Sequence, residues 1–273
     1  MDLKTLYEMI PPWDWPEDAA GMIQEILDTP LADLAERLLA AEMAGDLLVM
    51  NDQLAGTLLA LVGKGSETAK LRARAVMSFG PVFEHVDLYE FEDPDDIILS
   101  EGVFRKIQAA LRKLYYDAGV PVVVRRCILE TTVMVPEAWH SAAVRAAFAC
   151  DDEDWQRTAV SCMRFLEGFD RQILAALASG NPDIRYKALL AAGAWSLEEA
   201  WPSIAGLLSD PGGDKTLLLA AIDAAAGIGT PEAVNSLVRL LNSDDEDIVE
   251  AAEEALFMLE AADFGDDSDE DDW

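Results

Sequence analysis

The chain has 273 residues and carries 52 aspartates and glutamates against 20 lysines and arginines, a formal net charge of −32. Because nucleic-acid binding depends on basic contacts to phosphate, this charge argues against nucleic acid as the partner. Hydrophobic residues make up 51% of the chain, enough for a large core. No uncharged apolar run reaches the length of about 18 residues that a membrane span needs, so no membrane association is expected.

The first 47 residues differ in composition from those that follow. Trp13, Trp15 and several prolines precede an apolar stretch from Glu17 to Leu27 whose spacing predicts a helix. We expect residues 1–47 to form an atypical helical cap at the N-terminal end, and an aromatic docking peptide is the alternative. The first residues lack the basic and apolar regions of a secretory signal, so a cytoplasmic location is expected.

Residues 48–262 repeat a pattern with a period of roughly 29–34 residues. Residues 71–80 read Leu-Arg-x-x-Ala-x-x-Ser-Phe-Gly, and residues 184–193 read Ile-Arg-x-x-Ala-x-x-Ala-Ala-Gly. Further copies begin at Val124, Asp154, Leu217 and Asp247. Each copy is preceded by a second apolar segment, so each unit consists of two segments joined by a short acidic turn.

The spacing within each segment predicts helices. Apolar and small residues recur at helical intervals, and the capping sequences at 181–183 and 230–232 place an Asn or Thr before Pro and an acid. Gly168, Gly193 and Gly229 lie where second helices are expected to end. One two-helix unit cannot bury its apolar face alone, so the units must stack. The predicted fold is all-α, a right-handed α-solenoid of stacked two-helix repeats.

The run Asp-Ile-Arg-x-x-Ala-x-x-Ala at 183–191 and the run Pro-Glu-Ala-Val-x-x-Leu-x-x-Leu-Leu at 231–241 resemble short HEAT-like repeats, including those of the phycobilisome-lyase type. The resemblance is good over residues 137–262 and weaker over residues 48–135. It implies a solenoid that serves mostly as a binding scaffold and only occasionally carries chemistry. Iron hydroxylases of this kind carry repeated His-Glu pairs, which this chain lacks.

Two acidic segments interrupt or follow the repeats. Residues 81–101 combine aromatic residues with eight acids and no base, which predicts an inserted loop. Residues 263–273 hold seven acids and no base, which predicts a disordered tail. The final Trp273 is either an incidental exposed aromatic or a docking tip.

The distribution of bases indicates where a partner binds. Residues 102–150 hold seven bases against three acids, a local charge of +4. If second helices line the concave surface, the second and third positions of each copy form a basic groove there, with Arg74, Arg164 and Lys187 nearby. The predicted partner-binding residues are Arg72, Arg125, Arg126, Arg157, Arg185 and Tyr186. The alternative is that these arginines pair with aspartates between repeats, such as Asp154 or Asp183, as an internal ladder.

Few residues suit catalysis. His85 and His140 are the two histidines, and a contact of His140 with Cys127 is a weak candidate for a catalytic pair. No nucleotide-binding or zinc-binding motif occurs, so we expect no cofactor, no metal site and no enzymatic activity. The three cysteines are expected to be reduced packing residues, and a Cys127–Cys162 disulfide is the alternative.

The predicted function is a non-catalytic scaffold that holds an acidic or helical segment of another protein or peptide in the groove. In one variant, the tail at 263–273 occupies the groove until a partner displaces it. The alternative is a HEAT-like enzyme acting on nucleobases or a chromophore, with Trp155, Trp195 and Arg185 facing the substrate. The oligomeric state is left open.

Overall fold

The structure is a computed structural model that describes residues 2–91, 97–210 and 212–266. Within those ranges the regular structure is helical and no β-strand occurs. In chain order the helices are α1 (Leu3–Met9), α2 (Ala19–Asp28), α3 (Leu34–Met43), α4 (Asp52–Gly63), α5 (Ala69–Met77), α6 (Gly80–Tyr89), α7 (Glu101–Tyr116), α8 (Val122–Thr132), α9 (Ala138–Phe148), α10 (Glu153–Met163), α11 (Asp170–Leu177), α12 (Pro182–Ala194), α13 (Trp201–Leu208), α14 (Lys215–Ile228), α15 (Pro231–Leu240) and α16 (Glu246–Asp266).

The chain forms two compact units, residues 1–140 and residues 141–273, and the boundary falls within α9. In the first unit α2 pairs with α3, α4 with α5 and α7 with α8, and the second helices α3, α5 and α8 pack in succession. In the second unit α11 pairs with α12, α13 with α14 and α15 with α16, and the second helices α10, α12, α14 and α16 pack in succession. The all-α solenoid architecture is confirmed.

Second helices begin at side chains that cap them. Thr68, Asp152, Asn181 and Asp214 accept hydrogen bonds from backbone N–H groups in the first turns of α5, α10, α12 and α14. These bonds satisfy donors that a helix N-terminus otherwise leaves open. Gly229 ends α14 with a left-handed φ of 67°, as the sequence predicts.

Helices α12 and α14 approach closely at two glycines. A Cβ atom on Gly193 would lie 2.9 Å from the Cα atom of Ala224, and a Cβ atom on Gly227 would collide with the carbonyl oxygen of Gly193. The Ser196 hydroxyl donates a hydrogen bond of 2.7 Å to the Gly227 carbonyl. Both glycines are therefore required by the distance between the helices, since close-packed backbones leave no room for a methyl group.

We predict that Gly227→Ala lowers the free energy of unfolding by about 1–3 kcal/mol, because the new methyl group forces α12 and α14 apart. Urea unfolding followed by circular dichroism measures the change. Gly206→Ala is the matched control, because the space around Gly206 in α13 is open and alanine favours a helix by roughly 0.5–1 kcal/mol. A Gly227→Ala protein as stable as the wild type would contradict the close approach.

The segment predicted as an inserted loop at 81–101 is helical in its first part. Residues 80–89 form α6, with Pro81 in its first turn, and Phe83 packs against Phe104 of α7 with ring centroids 4.8 Å apart. The loop prediction is wrong for this stretch because the apolar residues at 82, 83 and 86 give α6 a buried face that outweighs the intervening acids. Residues 92–96 lie outside the described residues.

Repeat-like pairing begins early in the chain. Helices α2 and α3 pack on α4 and α5 as later pairs pack on their neighbours, although both lie within the predicted cap at 1–47. The assignment of a separate cap stays a prediction. At the other end, α16 extends to Asp266, so residues 263–266 are helical rather than disordered. Residues 267–273 of the predicted tail lie outside the described residues.

Two arginines hold the helices of a repeat together. Arg37 on α3 donates a hydrogen bond of 3.1 Å to the Leu27 carbonyl in the last turn of α2, and Arg72 on α5 donates one of 2.8 Å to the Val62 carbonyl in the last turn of α4. Both arginines are 4% exposed. Each occupies the same place in its repeat and satisfies a carbonyl that a helix C-terminus leaves without a partner.

Arg37 also joins two repeats through a buried ion pair. Its guanidinium bonds both carboxylate oxygens of Glu67, at 2.7 and 3.1 Å. The hydrogen bonds from Arg37 and then Lys64 lower the pKa of Glu67 from 4.5 to about 2. The stabilisation from this shift is therefore present at neutral pH and is lost as the pH falls from about 4.5 towards 2.

Replacing Arg37 by alanine is expected to cost about 3 kcal/mol of unfolding free energy, since the Glu67 carboxylate loses its bidentate partner and keeps only Lys64, whose side chain is 46% exposed. Chemical denaturation at neutral pH measures this loss. Lys4→Ala removes an exposed pair, with Lys4 Nζ 3.9 Å from Glu8 Oε1, and is expected to cost about 0–1 kcal/mol. Equal effects of the two substitutions would show that the Arg37 pair contributes no more than a surface pair.

Candidate functional site

A cleft of about 530 Å³ lies beside the first turns of α12 and α14 in the second unit. We call it the α12–α14 cleft. It is lined by Arg157, Pro182, Asp183, Tyr186, Lys187, Asp214, Thr216 and Leu217.

Helix caps position the lining residues. Asn181 Oδ1 accepts hydrogen bonds from the backbone N–H groups of Asp183 and Ile184 at 2.9 and 3.4 Å. Asp214 Oδ1 does the same for the first turn of α14, at 2.9 and 3.2 Å. The cleft therefore lies beside two helix N-termini, whose partial positive charges favour anionic groups.

Arg157 bridges two repeats at the edge of the cleft. Its Nη2 atom lies 2.9 Å from Asp154 Oδ1 on its own helix, and its Nη1 atom lies 3.7 Å from Asp183 Oδ2 on the next second helix. This ion pair is one rung of the ladder, that is, one of the inter-repeat arginine–aspartate pairs predicted as the alternative to a binding groove. The Arg157 side chain is nevertheless 39% exposed, so it stays accessible in the cleft although it is paired.

The same kind of rung recurs at the next pair of second helices. Lys215 at the start of α14 lies 2.8 Å from Asp245 Oδ2 and 2.6 Å from Asp247 Oδ2, beside the start of α16. The hydrogen bonds that Lys215 donates to Asp245 and Asp247 raise the pKa of Lys215 above its ordinary value. Arg37–Glu67, Arg157–Asp183 and Lys215–Asp245 thus form inter-repeat rungs, the first buried and the others exposed.

Tyr186 and Lys187 supply the remaining contact groups of the cleft. Both side chains are half-buried, and Lys187 Nζ lies 5.5 Å from the centre of the Tyr186 ring. Leu217 is 3% exposed and provides an apolar wall. An aromatic ring, two cations and an apolar wall suit a segment that offers a carboxylate together with an apolar side chain.

The structure brings together two of the six predicted binding residues, Arg157 and Tyr186. Arg185 is half-buried on α12 and does not line the cleft. Arg125 and Arg126 are half-buried on α8 in the first unit. Partner binding by these residues stays a prediction.

The expectation that Arg72 faces a groove is wrong. Its side chain is buried and bonds the Val62 carbonyl at the end of α4. The arginine of the repeat pattern is retained there because it connects the two helices of one repeat, a role that the sequence pattern alone does not separate from binding.

Sequence reasoning missed Asp214, Thr216 and Leu217. The missing signal is the helix cap: Asp214 occupies the position in its repeat that Asn181 occupies in the one before, and residues of the first turn after each cap line the cleft. Aligning the repeats on their caps, rather than on their arginines, would have placed these residues together.

A smaller cleft of about 420 Å³ in the first unit involves Arg74. Tyr7 Oη donates a hydrogen bond of 3.2 Å to Glu42 Oε1, and Arg74 Nη1 lies 3.8 Å from Glu42 Oε2. The charge of Glu42 raises the pKa of Tyr7. Tyr7, Glu42 and Arg74 thus bond to one another, and these contacts attach the N-terminal helix α1 to α3 and α5.

His140 is buried and fully engaged. Its Nδ1 atom accepts a hydrogen bond of 2.8 Å from the Glu137 backbone N–H, which leaves Nε2–H to donate to Thr132 Oγ1 at 2.9 Å. The Thr132 hydroxyl in turn donates to the Ile128 carbonyl at 2.7 Å. Burial lowers the pKa of His140 from 6.5 to about 4, so the imidazole is neutral at pH 7. These contacts give His140 a structural role.

We predict that His140 makes stability depend on pH. The unfolded chain binds a proton below about pH 6.5 and the folded chain only below about pH 4, so stability falls by about 3 kcal/mol as the pH is lowered through this window. Urea unfolding at several pH values measures the slope, and His140→Gln is expected to flatten it. His85→Gln controls for removing a histidine as such. An unchanged slope in His140→Gln would contradict this account.

The cysteines do not form a reactive site with His140. Burial raises the pKa of the Cys127 thiol to about 11, so the thiolate needed for nucleophilic attack is scarce at neutral pH. Cys127, Cys150 and Cys162 all lie in the described part of the chain and form no disulfide. The alternative Cys127–Cys162 bridge is therefore not present.

Trp155 and Trp195, which the alternative enzyme hypothesis places at one substrate site, do not lie close together. The Trp195 indole donates a hydrogen bond of 2.8 Å to the Met163 carbonyl at the end of α10, whereas Trp155 lies in the first turn of that helix, about 12 Å away along its axis. Trp195 also lines a hollow of about 840 Å³ that contains four carboxylates, Glu167, Asp170, Glu198 and Glu199. Such a hollow repels nucleic-acid phosphates.

Among residues 2–91, 97–210 and 212–266, no group of three or more His, Cys, Asp or Glu side chains is arranged to hold a metal ion. In that same part of the chain, no helix has both the length and the apolar character that crossing a bilayer requires.

Comparison with known proteins identifies the class of the fold. Residues 171–256, which include α12 to α15 and the first half of α16, match the family model of HEAT repeats. The chain is therefore a HEAT-like repeat protein. The comparison with curated proteins finds no match. The resemblance to repeats of the phycobilisome-lyase type is not confirmed and stays a prediction.

Solved structures are similar to this chain at low sequence identity. YibA from E. coli is 15% identical, with a TM-score of 0.51 over 93% of this chain and 90% of YibA. Human deoxyhypusine hydroxylase in complex with glycerol is 15% identical, with a TM-score of 0.41 over 94% of this chain and 99% of the other. An engineered protein is 14% identical, with a TM-score of 0.36 over 90% and 98%.

The prediction that the chain is not an enzyme, which is based on missing motifs, is contradicted by one of these structures. Human deoxyhypusine hydroxylase, one of the similar structures, is an enzyme by name. A fold of this kind is therefore no ground for excluding catalysis. At 15% identity the likeness concerns the fold and assigns no activity to this chain.

Proposed function

We propose that the protein binds an acidic segment of a partner protein in the α12–α14 cleft. The observation that carries this proposal is the arrangement of Arg157, Lys187 and Tyr186 around the Leu217 wall, beside two helix N-termini. In a chain with a net charge of −32, this is a local site at which a carboxylate finds favourable contacts.

The charges within the cleft favour this partner. Asp183 is paired with Arg157, and the carboxylate of Asp214 is occupied by backbone N–H groups of its own helix. Lys187 and the N-terminal end of α12, whose cap Asn181 is uncharged, therefore determine the sign of the charge that the cleft accepts. A carboxylate beside Lys187 forms a charge-assisted hydrogen bond, and an adjacent apolar side chain covers Leu217.

The spacing of the repeats favours an extended peptide. Neighbouring second helices lie about 8–10 Å apart, and an extended segment in the polyproline II conformation advances about 3.1 Å per residue with three residues per turn. A segment crossing α10, α12 and α14 therefore presents every third side chain to successive helices. An acidic residue at every third position, with one leucine between two of them, matches the cations and the apolar wall.

We place this binding in the cytoplasm. The three cysteines form no disulfide, and the buried, protonated thiol of Cys127 fits a reducing compartment. Binding in this compartment would bring the chain into contact with intracellular partner segments.

The experiment titrates the full chain into a fluorescein-labelled 12-residue peptide with glutamate at every third position and a single leucine. Lys187→Glu is expected to raise the Kd at least about tenfold, because it removes a charge-assisted contact and adds a repulsion. Fluorescence anisotropy measures the Kd. Tyr186→Ala is expected to weaken binding by a smaller factor through loss of the ring contact.

Arg171→Glu is the matched control, because Arg171 is exposed on α11 and undergoes the same change of charge outside the cleft. It is expected to change the Kd less than about twofold. Equal weakening by Lys187→Glu and Arg171→Glu would mean that the peptide senses only the overall charge. Absence of binding to the wild-type chain would also contradict the proposal.

A further inference from the structure

Helix α7 in the first unit carries a basic face that the α12–α14 cleft does not use. Four exposed bases lie on this 16-residue helix, and Glu101 is its one acid. One fifth of the chain's 20 lysines and arginines is therefore on a single helix of a strongly acidic protein. The bases are Arg105, Lys106, Arg112 and Lys113.

The four bases form two short rows along the helix. Residues seven apart in an α-helix lie on nearly the same line, about 10.5 Å from each other. Arg105 and Arg112 make one row, and Lys106 and Lys113 make the other. Tyr116, 59% exposed, continues the first row by one turn. The opposite side of α7 packs into the core, so the rows point to solvent.

Helix α16 in the second unit presents acids in the same arrangement. Glu246, Asp247, Glu253 and Glu254 are exposed and have the sequence spacing of the four bases on α7. Phe257 is 71% exposed and follows Glu253 by four residues, as Tyr116 follows Arg112. Asp247 is also held by Lys215, which fixes one member of the acidic set at the start of α16.

The two faces are complementary in charge, spacing and aromatic content. Two basic rows meet two acidic rows in either relative direction of the helices, since members of each row are separated by about 10.5 Å on both. When the two helices run parallel, Tyr116 and Phe257 also lie at the same position along the helix axes. Both faces are exposed in the structure of a single chain, so one chain leaves each face available to another molecule.

We propose that the basic face of α7 docks on the acidic face of α16 of a second copy of this chain. The two surfaces are different, so the contact is heterologous and leads to a closed ring or to an open row of copies. The proposal is independent of peptide binding in the α12–α14 cleft, because none of its residues lines that cleft.

The net charge of −32 gives this association a distinctive dependence on salt. The Debye length is about 30 Å at 0.01 M salt, about 10 Å at 0.1 M and about 3 Å at 1 M. At the lowest salt, whole-molecule repulsion keeps copies apart. At 0.1 M that repulsion is largely screened while ion pairs in direct contact persist, and at 1 M the ion pairs are weakened as well. Association is therefore strongest at the intermediate concentration.

Sedimentation velocity of the full chain at these three salt concentrations tests the proposal. The wild type is expected to associate most at about 0.1 M salt. The double variants Arg112→Glu/Lys113→Glu and Glu253→Lys/Glu254→Lys are each expected to sediment as monomers. An equimolar mixture of the two is expected to associate again, because each then finds its complementary face on the other. Circular dichroism confirms that both variants fold.

The double variant Arg171→Glu/Arg239→Glu is the matched control for Arg112→Glu/Lys113→Glu, since it makes the same change of net charge at exposed positions outside α7 and α16. It is expected to associate like the wild type at about 0.1 M salt. A wild type that is monomeric at every salt concentration, or a mixture of the charge-reversed variants that stays monomeric, would overturn the proposal. Binding of a monomeric wild type to phosphatidylserine vesicles, lost in Arg112→Glu/Lys113→Glu, would overturn it in favour of a membrane surface.

Discussion

The packing of consecutive second helices is the interaction on which the rest of the structure depends. A single helix pair exposes too much apolar surface to be stable, and burial of that surface requires the next pair to approach closely. Between α12 and α14 this approach is so close that two glycines replace side chains at the contact. The distance set there also determines how far apart the first turns of the helices lie, and hence the width of the cleft beside them.

Polar contacts add direction to this packing, which apolar burial alone does not provide. Arg37 and Arg72 each connect a second helix to the end of its own first helix, whereas Arg157 and Lys215 reach forward to the next repeat. Apart from Arg37, contacts within repeats and contacts between repeats are thus made by different side chains. Arg37 does both, because its Nη2 atom donates to the Leu27 carbonyl and to Glu67, while its Nη1 atom donates to Glu67.

The sequence predicted the fold well and the site only in part. Periodicity and capping residues determine helices over short distances, so the repeats and the end of α14 at Gly229 could be read directly. The burial of Arg72 could not be predicted from the sequence. The same Leu-Arg pattern fits an arginine that faces a groove and an arginine that bonds to the first helix of its own repeat. The helix α6 was missed for a related reason: its acids dominate the composition, while three apolar residues determine its packing. Leu217 was missed because its role depends on which repeats lie side by side.

The rungs between repeats are not equivalent, and this has a consequence for how the protein comes apart. The rung at Arg37 is shielded from solvent, whereas those at Arg157 and Lys215 are open to it. Dissolved ions weaken open pairs and leave shielded ones nearly unchanged. Raising the ionic strength therefore lowers the stability of the C-terminal repeats more than that of the repeats around Arg37. Fraying would then begin at that end, and the repeats around α3 and α5 would be the last to lose their order.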